Sequence, residues 1–105
     1  MSLRLESAIV AGIVSMVKDM RKEGVPVHIL KVHGNAMQRK GEPDLIACIG
    51  GRMVAMEVKR PGRKPTAIQV ARLESWKKAG AHSCVVHSER EANESLMGAY
   101  RQTFV

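Results

Sequence analysis

Asp44, Glu57 and Lys59 are the side chains whose types and spacing promise chemistry. Two carboxylates offer hard oxygen ligands to a divalent cation, and an ammonium beside them suits the anionic phosphate such a cation would receive. The link between them is Gly50-Gly51, which reads as a two-residue turn between two apolar runs and so as a β-hairpin. With Ile49 facing Arg52 across that turn, the register continues outward until Asp44 stands opposite Glu57. Directly paired residues hold their Cβ atoms roughly 4.5–5.5 Å apart on one face of a sheet. Two facing carboxylates repel, and the arrangement is sustained where a proton or cation neutralises it. The period of two places Lys59 on the same face, with the small Ala55 on the other side of Glu57 leaving room. The alternative is an exposed hairpin end carrying a cross-strand salt bridge.

Two further polar residues lie on helical patterns that flank the hairpin. Glu6 falls within about 40° of Val10, Ile13 and Val17 on a helical wheel, on the face expected to be buried, where a carboxylate needs a partner. Its plainer reading is a first-turn acid favoured by the helix dipole. Gln69 completes a Thr66-x-x-Gln69 capping box, yet it also begins the stripe continued by Leu73 and Trp76. His28, His33, His82 and His87 show neither triad nor metal spacing and read as ordinary strand or loop histidines.

The elements that must position these groups follow from periodicity. Ile9, Val10, Ile13, Val17 and Met20 recur at helical steps from about residue 3 to 22, and Gly24 then Pro26 end the segment. Val27 to His33 reads as a strand, His33 to Gly41 as a polar loop, and the hairpin spans Asp44 to Lys59. A basic, proline-bracketed loop from Arg60 to Pro65 leads into a helix from Thr66 to about Lys78. Ser83 to His87 reads as a fourth strand, and Ser88 with Glu91 caps a last helix. The order is α-β-β-β-α-β-α in a single domain over residues 1–105.

Composition narrows the partners. Only Trp76, Tyr100 and Phe104 are aromatic against seven Met, so the core is aliphatic and methionine-padded, and single-strand recognition by base stacking is poorly provided for. The net charge of +7 is concentrated between Arg39 and Lys78, where ten Lys or Arg face four Asp or Glu. A polyanion such as nucleic acid suits that surface, although a solvated face would carry the same charges. Cys48 and Cys84 lack zinc-like spacing and read as buried free thiols of a reducing cytoplasm. No apolar run approaches the roughly 18 residues of a membrane span, and no signal peptide is visible, so a cytoplasmic protein is expected.

The string Pro43-Asp44 … Glu57-Val58-Lys59, with twelve residues between the acids, resembles the PD-(D/E)xK nuclease motif. Glu6 on a leading helix, Gly41-Glu42-Pro43-Asp44-Leu45-Ile46, Glu57-Val58-Lys59-Arg60-Pro61-Gly62 and Gln69 early in the next helix resemble one branch of it, the virus-type replication-repair nuclease (VRR-NUC) domain, from about Glu6 to His87. The resemblance implies an α/β restriction-endonuclease-like fold, an αβββαβ core with a mixed central sheet, here followed by a C-terminal helix. It implies a phosphodiester hydrolase dependent on Mg²⁺ or Mn²⁺. Asp44, Glu57 and the Val58 carbonyl would hold the metal, and Glu6 a second metal or a metal-bound water. Lys59 would orient the attacking water and offset phosphate charge, and Gln69 would position Lys59 or the water. Stand-alone members of this size further imply a homodimer acting on branched DNA such as Holliday junctions, since one small chain carries one centre and two strands must be cut. A general or restriction-type nuclease, and a non-catalytic nucleic-acid-binding module on the same fold, are the competing readings.

Overall fold

The computed structural model describes residues 4–32 and 40–102. Seven elements follow the expected order: α1 (Glu6–Lys22), β1 (Val27–Lys31), β2 (Leu45–Ile49), β3 (Arg52–Val58), α2 (Ala67–Lys78), β4 (His82–Val86) and α3 (Glu89–Arg101). The strands form one sheet in the order β1-β2-β3-β4, antiparallel across the first two pairings and parallel between β3 and β4. The parallel step is the one that needs a crossover, and α2 supplies it.

The hairpin register is the one the glycine pair dictates. Ile49 pairs with Arg52 and Leu45 with Met56. Gly50 and Gly51 both take positive φ, 55° and 84°, as a type I′ turn requires. Alternation along the strands then sorts side chains to two faces. One face presents Leu45, Ala47, Ile49, Val54, Met56, Val58 and Val86, all buried, and α1 and α3 cover it. The α1 stripe predicted from spacing, Ile9, Val10, Ile13, Val17 and Met20, is the buried stripe observed. The α3 helix contributes Ala92, Leu96 and Ala99, and its two alanines let it lie close to the sheet. At their N-termini the two helices are pinned by an ion pair between Arg4 and Glu89 at 2.7 Å.

The opposite face carries Ile46, Cys48, Met53, Ala55 and Glu57. Here α2 lies over β3 and β4, with the Ser83 hydroxyl donating to the Leu73 carbonyl at 2.9 Å. Over β1 and β2 this face is more open, with His28, Leu30 and Cys48 exposed. Cys48 therefore corrects the expectation of two buried thiols: strand alternation sends it to the α2 side, where α2 does not reach. Cys84 is half-buried against Ser95, and burial pushes its thiol pKa up. Met20 is buried, and Met16, Met97 and Tyr100 pack against the core, so these serve the interior. Phe104 and His33 lie outside the described residues. Among the described residues no helix is long and apolar enough to cross a membrane.

Candidate active site

The site forms where β2 begins and β3 ends. Asp44 directly precedes Leu45, the first residue of β2, and its backbone carbonyl accepts from Val32 N–H at 2.9 Å. Its side chain turns across the hairpin, and Oδ2 accepts from Val58 N–H at 2.8 Å. One further step of the β2–β3 register past Leu45 and Met56 brings Asp44 opposite Glu57.

Glu57 is the one buried charged residue among those described, at 2% exposure. Its Oε2 lies 3.7 Å from Lys59 Nζ, while Oε1 has no hydrogen-bond partner among the described residues. A buried carboxylate oxygen without a donor is costly, and packing alone gives no reason to keep one. Burial, followed by the negative charge of Asp44, pushes the Glu57 carboxyl up to about 8; Lys59 pulls the other way without cancelling them. Taken alone, the pair would hold a proton at neutral pH. A divalent cation would relieve the same repulsion and give Oε1 a partner, so the donor set fits a metal. It is a two-carboxylate set: among the described residues no group of three or more His, Cys, Asp or Glu gathers into a metal-binding cluster.

Glu6 and Gln69 stand at the margins. Glu6 is the first residue of α1 and half-buried, at the end of the apolar stripe rather than its middle. Its Oε2 accepts from Arg60 N–H at 3.2 Å, which brings it to the exit of β3 beside Lys59. Glu6 and Lys59 together line a cleft of about 380 Å³. Gln69 forms the complete capping box: its Oε1 accepts from Thr66 N–H at 2.9 Å, and its own N–H donates to Thr66 Oγ1 at 3.3 Å. That bond uses one lone pair of the amide oxygen, so the second lone pair and the amide nitrogen are what Gln69 has beyond the cap. Val58 is fully buried, its N–H taken by Asp44.

The contacts that hold the segment behind Asp44 are not read from the sequence, where Gly41 and Glu42 stand only as motif residues and Trp76 as a stripe residue. The segment Lys40-Gly41-Glu42 runs along α2 as a strap and is fastened at three successive turns of that helix. Gly41 packs so tightly that an added Cβ would sit 3.0 Å from the Ile68 backbone carbonyl atoms. Arg72 Nε donates to the Lys40 carbonyl at 3.2 Å, and Trp76 Nε1 donates to Glu42 Oε1 at 3.2 Å. Pro43, fully buried, then delivers the chain to Asp44. The signal was the i, i+4, i+8 spacing of Ile68, Arg72 and Trp76, one step off the Gln69, Leu73 stripe.

No family model matches the chain, and no curated protein does. Among solved structures, a VRR-NUC domain matches with a TM-score of 0.61 and 28% sequence identity, covering 85% of this chain and 95% of that one.

Proposed function

We infer that this chain, which has the VRR-NUC fold, is a divalent-metal-dependent nuclease that hydrolyses DNA phosphodiester bonds. The observation that carries the reading is Glu57: buried at 2% exposure, one oxygen unpartnered among the described residues, set against Asp44 and Lys59 at the end of β3. A structural ion pair would leave neither an orphan oxygen nor a second carboxylate competing for the same space.

In this reading Asp44 and Glu57 hold the cation, Mg²⁺ or Mn²⁺, with the Val58 carbonyl available at the same strand end. The metal, when bound, lowers the pKa of water and offsets charge on the phosphate. Lys59, with its side chain 13% exposed, has its ammonium in the site and a largely desolvated stem behind it. It orients the attacking water and stabilises the extra negative charge that develops on the phosphate oxygens. Glu6, from the α1 side, would hold a second cation or an outer water, and the Gln69 amide would position Lys59 through the second lone pair of its oxygen or the water through its nitrogen. The surplus of basic residues around the site supports DNA as the substrate.

Branched DNA as the preferred substrate, and a homodimer as the acting form, extend the proposal. One chain supplies one centre, and a four-way junction presents two symmetric strands, so a two-fold dimer would match it. A gel panel of linear duplex, flap, splayed-arm and four-way DNAs with Mg²⁺, Mn²⁺ or EDTA tests the activity, and light scattering tests the assembly. Metal-dependent cutting of the junction ahead of the duplex by a dimer is expected. A monomer that cuts linear duplex equally fast would reject the junction reading and leave a general nuclease; absence of cutting on every substrate in either metal would reject the nuclease.

A further inference from the structure

Beyond the metal site, the cleft of about 380 Å³ beside Lys59 has a composition that catalysis at Asp44 and Glu57 does not explain. Its lining includes four cations, Lys59, Arg60, Arg63 and Lys64, against one acid, Glu6. That acid is committed to a backbone group, the Arg60 N–H, and not to a cationic side chain. Among the described residues, Arg60, Arg63 and Lys64 take part in no ion pair. Three like charges crowded on one short loop repel one another, and no described acid pairs with them.

The loop that carries them is also stiff. Arg63 N–H donates to the Arg60 carbonyl at 3.1 Å, closing a turn with Pro61 in second place and Gly62, at φ 85°, in third. This is the type II pattern, in which proline presets one dihedral and glycine accepts the positive φ. Glu6 fastens the start of the turn to α1, Pro65 follows Lys64, and the Thr66 capping box fixes where α2 begins. A turn held at both ends presents its cations with little backbone ordering left to lose on binding.

We propose that Arg60, Arg63 and Lys64 form a phosphodiester-binding subsite, which holds the backbone of the nucleic-acid strand one or more phosphates away from the one cut at Lys59. The proposal rests on the nuclease reading for its substrate, and it adds where the strand leaves the metal site. Hydrogen bonds to phosphate oxygens fix register and orientation without reading bases, so the subsite is indifferent to sequence.

The test is fluorescence anisotropy with labelled duplex DNA oligonucleotides of two unrelated sequences, in EDTA, over a range of NaCl. Asp44→Ala protein serves as the non-cutting parent. The same protein carrying Arg63→Gln and Lys64→Gln should bind both sequences more weakly by the same factor. Its slope of log Kd against log salt should fall by about 1.8, roughly 0.9 for each phosphate no longer neutralised. Arg63→Lys, which keeps the charge, should retain most of the slope. Lys18→Gln with Lys22→Gln, exposed on α1, removes the same net charge and should leave the slope in place. An unchanged slope in the Arg63, Lys64 variant, an equal fall in the α1 variant, or no binding by the parent overturns the subsite. The nuclease reading is judged separately, by cleavage with the wild-type protein: binding without cutting removes the nuclease and leaves the subsite, and cutting with an unchanged slope does the reverse.

Discussion

Replacing Glu57 by glutamine should stabilise the metal-free protein at neutral pH while removing its response to metal. The sign follows from the carboxyl's displacement from an ordinary 4.5 to about 8. Between those values the unfolded chain has released the proton and the folded chain still binds it. Stability therefore falls as pH rises, by about 1.4 kcal/mol per pH unit, and the contribution is fully present only below the unfolded value. By pH 7 the wild-type protein has lost about 3 kcal/mol relative to a neutral side chain of the same shape, and by pH 8 about 4 kcal/mol. Glutamine matches the protonated carboxyl in shape and carries no charge, so Glu57→Gln avoids the ionisation and keeps the packing. For a domain of this size, a change of about 3 kcal/mol corresponds to roughly 12 °C or more in Tm. The assay is thermal unfolding of both proteins in EDTA from pH 5 to 8, repeated with Mg²⁺ or Mn²⁺. The two melting temperatures should differ by only a few degrees at pH 5 and diverge steadily to pH 8. Metal should raise the wild type alone, by mass action on the folded state. A difference that stays flat with pH would refute the burial argument, and equal stabilisation of both proteins by metal would refute Glu57 as a ligand.

Asp44→Ala should lower the cleavage rate by roughly a hundredfold or more, because even groups outside a metal's ligand shell are commonly worth ten- to a hundredfold; DNA binding in EDTA should survive, and near-wild-type cutting at equal Mg²⁺ would remove Asp44 from the site. Lys59→Arg should cut single-turnover rates about tenfold or more, since a planar guanidinium does not fit where a compact ammonium lies 3.7 Å from Glu57 Oε2; a retained rate would mean that positive charge alone suffices. Gly41→Ala forces a positive-φ residue against the Ile68 carbonyl and should cost about 1–3 kcal/mol in denaturant unfolding, with cleavage falling further than stability accounts for. Cleavage that tracks the folded fraction alone would make the strap structural only.

The parts of this molecule legible in its sequence are those governed by local rules. Gly50-Gly51 sets a hairpin register without reference to anything outside the hairpin, and that register brings Asp44 and Glu57 to one strand end. The α1 stripe and both Ser/Thr caps are likewise decided within a few residues of themselves. What escaped depended on which helix covers which part of a face. Cys48 and Leu30 obey the alternation that their strands predict, but alternation says only which side a residue takes, and α2 extends over β3 and β4 while leaving them exposed. Glu6 shows the same limit: its wheel position points to the middle of a buried face, whereas its place at the first turn puts it at the sheet's edge, against Arg60. Gln69 could be read two ways because capping and site-facing positions coincide at the third residue of a helix, and the cap is the bond its oxygen makes. The strap was hidden for a further reason. Its bonds join Lys40 and Glu42 to residues more than thirty positions later, and a Gly beside polar residues reads locally as a loop with no obligation to touch anything. Only the helix it lies on gives Gly41 its purpose, and through Pro43 that purpose is where Asp44 ends up.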